Sequence, residues 1–196
     1  MRKNHSIQRS LLLLFTFVVF TANLTAQDKS RHIFIGAGYS QHGTGDLTGY
    51  TIITSLSFPL GKTFTFQPGI EASGNSRVGA QGYRLVTSGL NLNTNLGWNI
   101  IAGRRHLVEL IAGPFLRRQT SSYPDSYGGF LDQNGEWRQF WEFTGKPVTY
   151  SLGYSIAPSY HYKFNNRFML GGRILFQNDT EADALLSYLV SAGFTL

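Results

Sequence analysis

Side chains able to do chemistry are sparse in this sequence of 196 residues. Ser159, His161 and Glu109 supply the three residue types of a hydrolase triad, in which histidine activates a serine nucleophile and a carboxylate orients the histidine. No GxSxG nucleophile elbow accompanies Ser159. We therefore predict no catalytic residue.

A second set of polar residues lies at alternate positions in segments that are otherwise apolar or small. It comprises Gln67, Glu71, Asn91, Asn93, Asn95, Glu109, His161 and Arg173. Alternate residues share one face of a β-strand, so we predict a polar network inside the fold. Buried charges need partners. The network could therefore plug the interior, which we favour, or form a gated path for protons or ions.

The histidines indicate no metal site. The chain has five of them, one within the first 26 residues, and none stands at metal-ligand spacing. No phosphate-binding loop is present either, because the GAG and GPF stretches fall within predicted strands. We expect no metal and no cofactor.

The elements that position these residues show a period of two. In the closing stretch SYLVSAGFTL, Tyr188, Val190 and Phe194 alternate with small or polar residues. The same alternation recurs in 32–40, 49–58, 64–73, 86–98, 107–116, 148–162, 168–177 and 187–196. A period of two is typical of strands. The sequence therefore predicts eight strands and an all-β fold.

The composition of the two faces indicates which one points inward. The polar faces are small and nearly uncharged, unlike a solvated surface, and charged residues make up only 14% of the chain. The apolar faces are large and carry aromatic residues near their ends. An apolar belt outside and small polar residues inside are typical of a transmembrane barrel. We predict an eight-stranded antiparallel up-and-down transmembrane β-barrel.

Loop lengths favour the same topology. Short connections at 59–62, 103–106 and 163–166 alternate with longer ones, of which 117–146 is the longest. Outer-membrane barrels place short turns in the periplasm and long loops outside, and an even strand number puts both termini at the periplasmic side. We expect a monomer in the cell outer membrane with periplasmic termini.

The first 26 residues read as a cleavable signal peptide, followed by one barrel domain over 27–196. Arg2, Lys3 and Arg9 precede a short apolar run that ends at LTA. Removing these three cations and no acid lowers the formal charge from +6 to +3. That charge is too weak to indicate a nucleic-acid partner.

Several short stretches resemble the small outer-membrane barrels of Bacteroidetes known as the PorT-like, or outer membrane protein β-barrel domain, family. They are GAGYS (36–40), FQPGIEAS (66–73), LIAGPFLRR (110–118) and AGFTL (192–196). The ending Phe194-x-Leu196 also resembles the signal read by the barrel-assembly machinery, whose usual last residue is Phe or Trp. The resemblance implies a barrel with outer-membrane lipids and that machinery as partners, and no specific activity.

The long connection 117–146 contains an aromatic cluster, GEWRQFWEF. We favour the interpretation that the flanking strands continue above the membrane and that these rings pack on each other. The alternative is a contact site for an extracellular or envelope protein or glycan, formed by Trp137, Arg138, Phe140, Trp141 and Phe143.

Three prolines fall within predicted strands. Because proline removes a ladder hydrogen bond, we expect bulges or later strand starts at Pro68, Pro114 and Pro158. Together the patterns favour a non-enzymatic barrel with a plugged lumen that displays loops for adhesion, envelope integrity or partner docking. The alternatives are a membrane-embedded lipid-modifying enzyme and a small diffusion pore.

Overall fold

The computed structural model describes residues 31–43, 47–78, 84–122, 126–142, 148–181 and 183–196. Their strands are β1 (His32–His42), β2 (Leu47–Leu60), β3 (Phe64–Val78), β4 (Arg84–Ala102), β5 (His106–Ser122), β6 (Ser126–Leu131), β7 (Trp137–Glu142), β8 (Val148–Lys163), β9 (Phe168–Asp179) and β10 (Ala184–Thr195). Within these ranges no helix is long and apolar enough to cross a bilayer. The predicted signal peptide lies outside the described residues.

Eight of these strands close into a barrel in the order β1-β2-β3-β4-β5-β8-β9-β10, and each pairs antiparallel with its neighbours. They correspond to the eight predicted strands. The closing ladder joins β10 to β1, with Phe194 opposite Ile33 and Tyr188 opposite Tyr39. Closure pairs the edge of β10, so its apolar end presents no open strand edge.

The orientation of the two faces is confirmed. Ile52, Leu92 and Val190 point outward with 57%, 53% and 67% of their surface exposed. Thr51 and Ser187 point inward, and each is fully buried. An apolar outer surface around a polar interior is the reverse of a water-soluble barrel and matches one solvated by lipid.

Aromatic residues mark both ends of the outer surface. Tyr39 stands in register between Tyr50 and Tyr188 toward the end that carries the long connections. At the short-turn end, four rings follow one another around the outer surface with centroids 5.1–5.7 Å apart. These are Tyr162, Phe164, Phe168 and Phe194. Two such levels are typical of bilayer interfaces.

The lumen also contains apolar layers that the small-residue faces did not predict. One cluster comprises Ile53, Ile111, Ala157, Leu175 and Leu189, and a second, toward the short turns, comprises Phe34, Leu107 and Met169. Gly153 leaves room for another ring, because a Cβ there would lie 2.4 Å from Phe115. Side chains therefore fill much of the interior.

The predicted bulges at the prolines are wrong. The structure places these prolines inside strands, with Pro68 in β3, Pro114 in β5 and Pro158 in β8. Each proline pairs with a residue of one neighbouring strand. In the ladder with the other neighbouring strand, two consecutive residue pairs are missing. The register is the same on both sides of each gap, so the missing N–H is tolerated without an inserted residue. The register shift in the barrel ladders of the described residues lies instead between Asn99 and Ile101.

The 117–146 connection begins as strand and then forms its own hairpin. β5 runs to Ser122, six residues past its predicted end at Leu116. β6 and β7 then pair as a separate two-stranded sheet. Its turn contains Gly135 at φ 78°, a left-handed conformation that glycine adopts without steric cost. This hairpin, 126–142, is attached to the barrel between β5 and β8.

Candidate functional site

One half of the lumen, toward the long connections, contains a hydrogen-bonded cluster around Glu71. Its carboxylate accepts bonds from Asn91 Nδ2 at 3.2 Å, Gln177 Nε2 at 2.9 Å and Asn93 Nδ2 at 3.5 Å. Asn91 Nδ2 also donates to Gln177 Oε1 at 3.0 Å. These contacts connect β3 and β4 with β9 across the lumen.

Arg117, which the sequence pattern predicted at the start of a loop, extends this cluster. Its guanidinium donates to Asp179 Oδ2 at 3.0 Å, Gln177 Oε1 at 2.8 Å and Asn91 Oδ1 at 3.2 Å. The side chains of Arg117 and Asp179 are each 1% exposed, and Ser151 Oγ donates to the same Asp179 oxygen at 2.8 Å. The Arg117–Asp179 pair is thus a buried and well-partnered ion pair.

A smaller cluster lies nearer the short turns. Gln67 Nε2 donates to Glu109 Oε1 at 3.1 Å and to Thr65 Oγ1 at 3.0 Å, and Thr65 Oγ1 stands 3.5 Å from the same carboxylate. Gly97 makes this packing possible, because a Cβ there would lie 2.3 Å from Thr65 Oγ1. Glu109 Oε2 has no hydrogen-bond partner among the described residues.

The other predicted network residues share no hydrogen bond with either cluster among the described residues, although Arg173 interacts electrostatically with both Glu71 and Glu109. Ser155 Oγ donates to Asn95 Oδ1 at 3.0 Å, and His161 Nε2 stands 2.7 Å from Ser191 Oγ. Arg173 is buried, and its Nε and Nη2 lack partners within the described part of the chain. All eight predicted residues face the lumen and are at most 5% exposed, but they form separate clusters instead of one network.

The residues of the possible triad are not assembled. His161 contacts Ser191, Glu109 contacts Thr65 and Gln67, and Ser159 Oγ makes no hydrogen bond within the described residues. His161 Nδ1 likewise has no partner there, so no carboxylate orients the ring. The described residues also contain no group of three or more potential metal ligands.

The hairpin presents apolar side chains to its surroundings. Trp137 is 70% exposed and Leu131, directly opposite it, is 66% exposed. The ring of Trp137 lies over Gly129, where an added Cβ would stand 3.3 Å from the indole. Phe130 adds a further ring that is 52% exposed. Trp137 and Leu131 together form an apolar patch on one face of the hairpin.

Charged residues hold the hairpin turn. Arg138 pairs with Asp132 at 3.0 Å and with Glu136 at 3.2 Å, and Asp132 Oδ1 accepts the backbone N–H groups of Asn134 and Glu136, both at 2.9 Å. The hydrogen bond from the Glu136 backbone N–H has the largest effect, and together with those from Arg138 and Asn134 it holds the pKa of Asp132 below its usual range.

The structure describes only part of the possible contact site. Trp137 and Arg138 are exposed on β7. Phe140 and Trp141 pair with Gly128 and Tyr127 along the backbone, while the positions of their side chains lie outside the described part of the structure. Phe143 lies outside the described residues altogether.

Comparison with known proteins identifies the fold. No family model and no curated protein matches this chain. Among solved structures, Neisserial surface protein A aligns with a TM-score of 0.58 at 9% identity, covering 86% of this chain and all of that one. Ail, the attachment invasion locus protein of Yersinia pestis, aligns with a TM-score of 0.50 at 7% identity, covering 87% of this chain and all of Ail.

The class that the fold defines is therefore the closed eight-stranded antiparallel β-barrel of outer-membrane proteins. At identities this low, the similarity establishes the fold alone. The resemblance to the PorT-like family receives no support from these comparisons.

Proposed function

We propose that this chain is a non-enzymatic outer-membrane barrel that displays the 126–142 hairpin at the cell surface for adhesion or partner docking. The observation that carries the proposal is the exposed patch of Trp137 and Leu131 on a hairpin attached to a barrel with a filled lumen. Exposed aromatic residues are common anchors of protein and glycan interfaces. The short turns and both termini of the barrel then face the periplasm.

The filled lumen favours display over diffusion. Arg117, Asn91 and Gln177 bond across the interior, and the apolar cluster around Ile111 occupies another level of it. The interior of an eight-stranded barrel is just wide enough for side chains to fill it or for one small ligand, and leaves no open channel. We expect no steady conductance in planar lipid bilayers, and a stable ohmic conductance of the folded protein would instead favour the pore.

The enzyme alternative has a separate test. Ser159→Ala and His161→Ala should change no lipid-modification product, because the two residues and Glu109 form no triad in the part of the chain that the structure describes. Loss of such a product in a variant that still folds would favour catalysis.

The binding role can be tested with folded protein in nanodiscs applied to arrays of glycans and of purified extracellular and envelope proteins. Replacing Trp137 with alanine should weaken any specific interaction about tenfold or more, since a central aromatic anchor carries much of the binding energy. Gln133→Ala, an exposed polar change in the same turn, is the matched control. Specific binding that is unaffected by Trp137→Ala would contradict the proposed site.

The orientation can be tested independently of any partner. A short epitope inserted after Gln133 should be labelled by antibody on intact cells, whereas one inserted in the turn at Arg104 should require permeabilised cells. The opposite pattern would reverse the orientation and place the hairpin in the periplasm.

A further inference from the structure

The end of the barrel opposite the hairpin contains a cavity with a volume of about 390 Å³. It lies between the β2–β3 turn, the first residues of β1 and β5, and the last residue of β8. Phe34 and Leu107 form part of its wall and give it an apolar side. A space of this size is large enough for a small polar ligand.

Two lysines line this cavity. Lys62, in the tight β2–β3 turn, and Lys163, at the end of β8, both line it. Lys163 Nζ donates to the carbonyl of Gly103 at 3.3 Å, a bond that uses one of its three donors. Two primary ammonium groups beside one cavity favour a ligand with an anionic group.

The rest of this end is basic as well. Its strand ends and turns carry Arg31, Lys62, Arg104, Arg105, Lys163 and Arg167. Among the described residues no Asp or Glu side chain lies in these turns, and Glu109 lines the cavity from inside the lumen. Clustered charge of one sign raises the local concentration of oppositely charged ligands.

The inner part of the cavity is lined by hydrogen-bond acceptors. Glu109 lines it, is 1% exposed, and its Oε2 makes no hydrogen bond among the described residues. Asn99 also lines it, and its buried Oδ1 is likewise without a partner there. Buried acceptors are normally satisfied. Two unsatisfied acceptors beside a cavity favour a ligand that donates hydrogen bonds.

We propose that this cavity binds a phosphate ester with a short amine-bearing arm, of the phosphoethanolamine type. The phosphate interacts with Lys62 and Lys163, and the ammonium group donates to Glu109 and Asn99. Such a group can be a free metabolite or the headgroup of a phospholipid. The aromatic side chains of four neighbouring residues lie at this end of the barrel, where such side chains mark the headgroup level of a bilayer. These residues are Tyr162, Phe164, Phe168 and Phe194.

The site can be tested by native mass spectrometry of the folded barrel released from detergent in the presence of phosphatidylethanolamine or phosphatidylcholine. Both lipids carry the phosphate, but the quaternary ammonium of choline has no N–H to donate. We expect the wild type to retain phosphatidylethanolamine in preference to phosphatidylcholine. Lys62→Gln and Lys163→Gln should each weaken retention about tenfold, because each removes a charge-assisted contact.

A second variant separates the two halves of the ligand. Glu109→Gln should retain the phosphate contacts and lose the preference for ethanolamine over choline. Arg84→Gln, at the opposite end of the barrel, is the matched control and should leave both lipids unaffected. Slower migration of each variant after boiling checks that it was folded.

Soluble phosphoethanolamine, titrated into the same micelles, identifies the source of the ligand. Binding comparable to that of the lipid indicates a free ligand, and binding of the lipid alone indicates a headgroup site; either result supports the proposed chemistry. Equal retention of the two lipids by the wild type would overturn the proposal. So would unchanged retention by folded Lys62→Gln, whose exposed turn position does not threaten the fold.

Discussion

The lumen and the hairpin each contain an arginine–aspartate pair at the same distance but in opposite surroundings. Arg117 and Asp179 are 3.0 Å apart with both side chains 1% exposed. Arg138 and Asp132 are also 3.0 Å apart, but the arginine side chain is 58% exposed. Burial makes loss of one partner costly, whereas exposed pairs contribute little. The buried pair is therefore expected to support the stability of the barrel, whereas the exposed pair of the hairpin contributes little to it.

The largest effect is expected from breaking the buried pair. Arg117→Met leaves Asp179 buried without its cation, and we expect the free energy of unfolding to fall by about 3–5 kcal/mol. Chemical denaturation of the protein folded in phospholipid vesicles measures this change. Arg138→Met is the matched variant and should have a far smaller effect. Equal losses in the two variants would refute the contrast between the regions.

The next effect concerns the apolar layer of the lumen. Ile111 is 1% exposed and belongs to the central cluster, so Ile111→Ala should lower the free energy of unfolding by about 2–4 kcal/mol through lost burial and a cavity. Leu92→Ala, on the outer face, creates no internal cavity because lipid can fill the space. A smaller loss for Ile111→Ala than for Leu92→Ala in the same vesicles would show that the lumen is loosely packed.

A smaller effect on stability is expected at the hairpin. Trp137 is mostly exposed, so Trp137→Ala should change the free energy of unfolding by less than about 0.5 kcal/mol while it weakens binding. The same denaturation experiment, run beside the nanodisc arrays, provides both readouts. A loss of several kcal/mol would mean that the indole supports the barrel and that the hairpin is structural.

The smallest effect is a local dependence on pH. Hydrogen bonds to its carboxylate hold the pKa of Asp132 below its ordinary value. The contribution of ionised Asp132 to the stability of the hairpin turn is therefore fully present above the unfolded pKa of about 4. It is lost as the pH falls through the lower folded pKa. Protection of the Asn134 and Glu136 amides from hydrogen exchange should therefore decrease as the pH is lowered through this range. Asp132→Asn should remove this pH dependence of amide protection. A variant that keeps the pH dependence of the wild type would contradict the prediction.

The sequence predicted most of the barrel because a strand in lipid must alternate along its whole membrane span. Strand ends were less accurate, since β5 continues beyond the apolar belt, where its outward face becomes polar. Arg117 was missed for this reason. It continues the inward alternation of Glu109, Ile111 and Phe115, and this signal could have placed it in the lumen.

Other features could not be inferred from local patterns. The division of the polar residues into clusters depends on which strands face each other across the lumen, as with Glu71 and Gln177, which are 106 residues apart. That Glu109 Oε2 lacks a hydrogen-bond partner among the described residues depends on side-chain packing. The tolerance of Pro68 depends on which neighbouring strand its missing N–H faces.

The most direct test of the account is the gel mobility, unboiled and boiled, of the outer-membrane fraction from cells that express the chain with and without residues 126–142. If the barrel is a membrane-embedded unit that only carries the hairpin, both forms will be in that fraction and migrate faster unboiled. A soluble periplasmic protein without a heat shift would contradict the outward apolar face. Loss of the shift in the shortened form alone would show that the hairpin is needed for the fold.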